Sequence, residues 1–328
     1  MSMYVDSISV LLFFIGFYAI IKVSDDKIKK GDYTNEEHNP ASADFFCTPD
    51  GAGSGEGKSV MFAKDNRIHT ACNKELSSIL KQEAKHKKHA EKTPPQWKAA
   101  LAEKVPTNLR AGLQTAFSKA FGVIFEKGTS VIDKTYNKAE LVQNHQIQDY
   151  AVHLKGSRKE LKRMRSMAAK SNFVNASITT AEGTALGALG IGMPDIVIFI
   201  GLLLKGVYES SLQYGYDYNE PKEKLLILKM LEAALSKTED WVNTNAEVDR
   251  LLTADYVPAA EDIKAQIKRT ADIFALDMLV FKFVQGLPVV GIIGGLANPV
   301  YYTKILKYIQ MKYYKRYILK LCSMQKIH

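Results

Sequence analysis

Residues 182–217 constrain this chain more than any other stretch. They read Glu182-Gly183-Thr184-Ala185-Leu186-Gly187-Ala188-Leu189-Gly190-Ile191-Gly192-Met193-Pro194-Asp195, then an apolar run over residues 196–204, then Tyr214-Gly215-Tyr216-Asp217. Gly183 and Gly187 are four apart, so on a helix they share a face and let another backbone come close. Gly190, Gly192 and Pro194 break that helix. Pro194 suits the first position of the next one, with Asp195 facing its positive end. Residues 196–204 are apolar on every side, a pattern that only a buried or lipid-facing helix tolerates. Gly215 is placed to stop that helix.

A second block repeats the pattern. Gly286-Leu287-Pro288-Val289-Val290-Gly291-Ile292-Ile293-Gly294-Gly295 keeps a four-residue glycine spacing, Gly291 to Gly295, and Pro299 again stands before a new helix. The echo predicts two glycine-rich apolar hairpins packed glycine face to glycine face. Elsewhere the apolar residues recur at three- and four-residue steps. Leu109, Leu113, Phe117, Phe121 and Ile124 form one stripe, and Ile263, Ile267, Ala271, Phe274, Met278 and Phe281 another. Pro221 opens a Leu-rich helix to about residue 235, and residues 236–258 read as a connecting segment with a short helix. Strand-type alternation is nearly absent, so the expected fold is all-α, a helical bundle.

Whether the central block crosses a membrane is a matter of balance. Its large apolar side chains favour insertion by roughly 5 kcal/mol at ~0.45 kcal/mol each. A central Asp195 costs about 3 kcal/mol, and the glycines and the proline reduce the remainder. The sum is near zero. A hairpin buried in the bundle and a hairpin that inserts conditionally both remain open.

Residues 7–21 carry no charge and are dense in Leu, Ile and Phe. As a helix they reach ~22 Å, against a hydrocarbon core of about 30 Å. Lys22 snorkelling and Val23 extending the span make a short transmembrane or anchor helix. Lys22, Lys27, Lys29 and Lys30 follow it and only Asp6 precedes it, so the positive-inside rule puts the rest of the chain in the cytoplasm. No basic leader or small-residue cleavage pattern marks a removed signal peptide. The expected division is residues 1–24 as anchor, 25–93 as a polar, partly disordered linker, and 94–328 as the helical domain. The three cysteines, Cys47, Cys72 and Cys322, are odd in number and far apart, which argues for a reducing compartment.

Two apparent ligand motifs fail. Gly51 to Ser59 looks like a phosphate-binding loop, but the required first glycine falls on Ala52 and no apolar strand precedes it. Cys47, His69 and Cys72 lack a fourth zinc ligand at motif spacing. No cofactor or metal is expected, and no catalytic residue stands out.

The two glycine blocks resemble the EcsC protein family. The residues that carry the likeness are Gly183, Gly187, Gly190 and Gly192, Pro194-Asp195, Leu202-Leu203-Leu204-Lys205, and Tyr214-Gly215-Tyr216-Asp217 ahead of Pro221. Leu287-Pro288-Val289-Val290-Gly291 with Gly294, Gly295 and Asn298 adds a second match. Ala116 to Phe121, followed by Ile124 to Gly128, adds a third. The family takes its name from a bacterial operon that also encodes an ABC transporter. The resemblance therefore implies a bacterial, membrane-linked accessory protein, and it brings no catalytic residues.

The net charge of +9 favours an anionic partner. From Met278 onward there is no acidic residue, and Lys304, Lys307, Lys312, Lys315, Arg316 and Lys320 alternate with tyrosines. That mixture suits the surface of an anionic membrane rather than nucleic acid, since no nucleic-acid motif accompanies it. Residues 155–170 carry a further basic run for a lipid or transporter face. The expected partners are anionic lipid and a transporter membrane subunit. Glu182, Asp195, Tyr214 and Asp217 form the candidate polar site. If sheltered, its carboxylates would support a hydrolase instead. A third reading is a pore-forming protein in which protonation of Asp195 removes the penalty for insertion.

Overall fold

The computed structural model describes residues 56–90, 107–125, 129–174, 196–284 and 299–324, and among them there are helices and no strands. The helices are α1 (Glu56–Ala90), α2 (Thr107–Val123), the single turn α3 (Thr129–Ile132), α4 (Lys138–Lys155), α5 (Arg158–Val174), α6 (Ile196–Gln213), α7 (Pro221–Leu235), α8 (Thr238–Thr253), α9 (Ala260–Val284) and α10 (Pro299–Met324). The all-α expectation holds for these residues. The predicted anchor, the glycines of both hairpins, and Glu182 and Asp195 lie outside them. No described helix is long and apolar enough to cross a membrane.

Local chemistry sets the helix ends. Asn137 caps α4 by accepting from the Glu140 backbone N–H, and Gly156, at φ 58°, closes its other end. Gly215, at φ 82°, ends α6, with its N–H donating to the Leu212 carbonyl and the Tyr216 N–H reaching back to Ser211. These two bonds satisfy carbonyls that the helix end leaves open. Pro221 then starts α7 at a position where its missing N–H costs nothing.

Two expected boundaries move. Residues 67–88 are not linker: they belong to α1, which buries Ile68, Ala71, Cys72, Glu75, Ile79 and Glu83. The positions follow a helical period, but two of the six are glutamates, and these break the apolar stripe by which a buried helix is recognised. The compact unit accordingly begins at Arg67. The supposed connection after residue 235 is instead largely the helix α8, 16 residues long, which buries Trp241, Val248 and Leu252.

The core has an aromatic centre and a polar flank. Phe274 of α9 meets Phe117 and Phe121 of α2 and Phe199 of α6 at centroid distances of 5.5, 5.6 and 6.3 Å. α7 packs on α8, α9 and α10 and is buried at nearly every position from Leu226 to Leu235. The apolar run of α6 is buried within the bundle, with Ile200, Leu203 and Leu204 fully covered.

Helix directions bring key ends together. Tyr302 of α10 reaches the Leu202 carbonyl of α6, while further along Tyr313 stacks on Tyr216 and Tyr317 meets Tyr214 at a tilt, so α6 and α10 run parallel. They approach closely at Gly206, where an added Cβ would lie 2.6 Å from the Tyr302 hydroxyl and 2.9 Å from Leu306. α1 runs antiparallel to α10, with Glu83 beside Lys312 and Cys72 beside Cys322. α5 runs parallel to α1 through Arg158–Glu75 and Arg165–Gln82. The end of α5 and the starts of α6 and α10 therefore share one end of the bundle.

Candidate functional site

The turn between α6 and α7 gathers the polar chemistry. Tyr214 is buried against Tyr314 and Tyr317 at 5.9 and 6.4 Å. Tyr216 lies on Tyr313, with the Arg316 guanidinium 3.8 Å over its ring. Burial pushes the Tyr216 phenol up to about 12, against the opposing pull of Arg316. Tyr218 stacks on Tyr208 at 4.1 Å and donates to Asp133, and Tyr136 donates to Tyr218. Asp217 is exposed and accepts from the Asn219 backbone and side chain. Of the candidate polar site, the described residues thus hold Tyr214 as a packing group and Asp217 as a turn cap.

The basic helix α10 corrects the surface expectation in part. Lys304, Lys307 and Lys320 are exposed. Lys312, Lys315 and Arg316 are not at a surface: all three are buried, Lys312 with no exposed area at all. Carboxylates from other helices surround them. Glu83 and Asp249 take Lys312 at 2.5 and 2.7 Å and Lys315 at 2.8 and 2.9 Å. Glu223 takes Arg316 at 2.7 Å and also accepts from Tyr313. Glu75 takes Arg158 and accepts from Tyr314, and Asp149 accepts from Tyr317. Burial works against the Arg316 charge, but Glu223 outweighs it and holds the guanidinium pKa above its ordinary value. Burial and Glu223 push the Tyr313 phenol well above its usual range. Each of these carboxylates already accepts from a cation or a phenol, so the lattice fixes helix positions and offers no general base. Among the described residues, no group of His, Cys, Asp and Glu could hold a metal ion.

Beside the turn, α4, α5 and the end of α6 enclose a small open cleft. His145 Nδ1 contacts the Gln213 carbonyl at 3.1 Å, and a carbonyl only accepts, so Nδ1 carries the proton. Burial lowers the His145 pKa, which keeps the ring neutral at pH 7. Its Nε2 lies 2.4 Å from where a Cβ on residue 215 would sit, so only glycine fits there.

The outer side of the same hairpin is unusual. Ile147, Tyr150 and Leu154 of α4 are 54%, 68% and 54% exposed and recur at helical spacing. Lys159, Lys162 and Arg163 of α5 are also exposed, while Arg158 and Arg165 turn inward to Glu75, Gln82 and Tyr314. Only the cations of this face stood out in the sequence. The spacing of Ile147, Tyr150 and Leu154 was readable, but nothing in it distinguishes an outward stripe from a buried one. His145 and Gln213 carried no motif at all.

The EcsC protein family matches the chain over residues 71–318. An uncharacterized protein of Bacillus subtilis (strain 168), YdbA, is similar, at 28% identity over 153 residues, which are 45% of this chain and 55% of the relative. The match thus spans about half of that relative's length. No solved structure matches the chain.

Proposed function

The chain belongs to the EcsC protein family, and on that premise we propose that it is a non-enzymatic accessory protein acting by contact at an anionic membrane. Its main domain lies on the cytoplasmic side, and a transporter membrane subunit is its protein partner. The observation that carries this reading is the outer face of the α4–α5 hairpin. Exposed Ile147, Tyr150 and Leu154 alongside Lys159, Lys162 and Arg163 combine an apolar, aromatic surface with positive charge. Headgroup attraction contributes about 1 kcal/mol per basic residue near the surface. The apolar residues 7–21 support the same reading.

Co-sedimentation with phosphatidylcholine vesicles, with and without phosphatidylserine, tests it. The chain is expected to bind the acidic vesicles, and Lys159→Glu with Arg163→Glu to weaken that binding at least about tenfold. Equal binding by the variant, or indifference to the acidic lipid, would overturn the reading. Cross-linking in native membranes is expected to capture the transporter subunit.

A further inference from the structure

The cleft between α4, α5 and the end of α6 contains a feature that neither packing nor the membrane reading uses. Gln213 is 7% exposed, and both its amide nitrogen and its amide oxygen are buried with no hydrogen-bonding partner in the protein. Native proteins rarely leave such groups unpaired, and each one calls for an explanation. Here both halves of one carboxamide are unpaired together, and Gln213 lines a cavity of about 90 Å3.

The walls narrow the chemistry. Met164, Met167, Ala168 and Leu141 make most of the lining apolar, and Asn144 and Gln148 add neutral polar groups. None of these residues is charged, and His145, which completes the lining, has its pKa lowered by burial. Methionine is unbranched and polarizable, so its side chain shifts to admit a ring and makes favourable sulfur–aromatic contacts. Met167 is 37% exposed and stands at the open side, where it can turn aside. An unpaired carboxamide holds a donor beside an acceptor in one plane, which pairs in two hydrogen bonds with a donor–acceptor edge of the opposite order. Glutamine reads adenine in this way.

We propose that this cleft binds a small, planar, uncharged molecule through an amide-type edge, a single ring held between methionines with its donor and acceptor on Gln213. Two sources share that chemistry, a primary carboxamide and a one-ring pyrimidine base such as cytosine. The volume limits the ligand to about one ring, since drug-sized ligands occupy several hundred Å3.

The test uses the full-length chain and three probes: benzamide, cytosine and benzoate. Binding is read by titration calorimetry and by the side-chain amide resonances of Gln213. Benzamide, cytosine or both are expected to bind and to shift those resonances, and which one binds identifies the source. Benzoate, which keeps the ring but can only accept, is expected to bind at least about tenfold more weakly. Gln213→Leu, of similar volume, is expected to lose probe binding while keeping its helical circular dichroism. Removing a buried amide that has no partner leaves nothing newly unpaired, so the variant should remain folded. Failure of both amide probes, equal binding of benzoate, or undiminished binding by Gln213→Leu would each overturn the proposal. A cleft holding water alone gives the first of these results. No lipid is present in the assay, so its outcome is independent of the membrane reading.

Discussion

Lys312 sits with no exposed surface between Glu83 and Asp249, and Lys315 shares the same two carboxylates. Four charges at these distances neutralise one another, but only while all four are present. Removing one partner of a buried pair costs roughly 3–5 kcal/mol, because the remaining charge is stranded without water. Lys312→Met is therefore expected to lower unfolding free energy by about that amount in urea titration. Adding Glu83→Gln is expected to restore part of the loss, since the second change removes the stranded charge. A lysine facing solvent would show neither effect. In the sequence, these lysines are indistinguishable from the exposed Lys304, Lys307 and Lys320. The carboxylates that receive Lys312 lie 229 and 63 residues away, and nothing local records that meeting.

The turn from α6 to α7 shows which elements local chemistry makes legible. Gly215 and Pro221 mark the end and the start of two helices in the sequence, and the structure puts the boundaries there. The stripes through Phe117 and Phe274 likewise predict α2 and α9, because their apolar residues recur without interruption. The lysine-rich run from Glu75 to Lys92 reads as a helix, but as a solvated one; its burial is hidden for the opposite reason: Glu75 and Glu83 sit where its stripe needs apolar residues, and they are buried only because α5 and α10 supply cations and a phenol. Of the candidate polar site only Tyr214 and Asp217 lie among the described residues, and there Tyr214 packs and Asp217 caps. Gly215 also carries a second constraint. Gly215→Ala must hold a side chain at φ 82° and place its Cβ 2.4 Å from His145 Nε2. The backbone strain alone costs of order 1–3 kcal/mol, and the clash adds to it. Thermal unfolding is expected to show a clear loss for Gly215→Ala, and combining it with His145→Ala is expected to recover the steric part only.

For the whole molecule, the question is how much of the chain a stable fold needs. A domain beginning at residue 94 keeps both glycine-rich blocks but loses α1. α1 supplies Glu83 to Lys312 and Lys315, and Glu75 to Arg158 and Tyr314, while its Ile68, Cys72 and Ile79 are fully or almost fully buried. Without it, Lys312 and Lys315 keep only Asp249, one carboxylate for two ammonium groups in a low-dielectric interior. Arg158 loses its carboxylate as well. The lost burial adds several kcal/mol at about 25 cal/mol per Å2 of apolar surface. Total stabilities run to roughly 5–15 kcal/mol, so these losses together are enough to unfold the domain. A chain starting at residue 67 is thus expected to give a cooperative thermal transition, and one starting at residue 94 to give none. Cooperative unfolding of the shorter chain at undiminished stability would mean that α10 can satisfy its buried cations without α1. The ionic lattice would then not be what holds this bundle together.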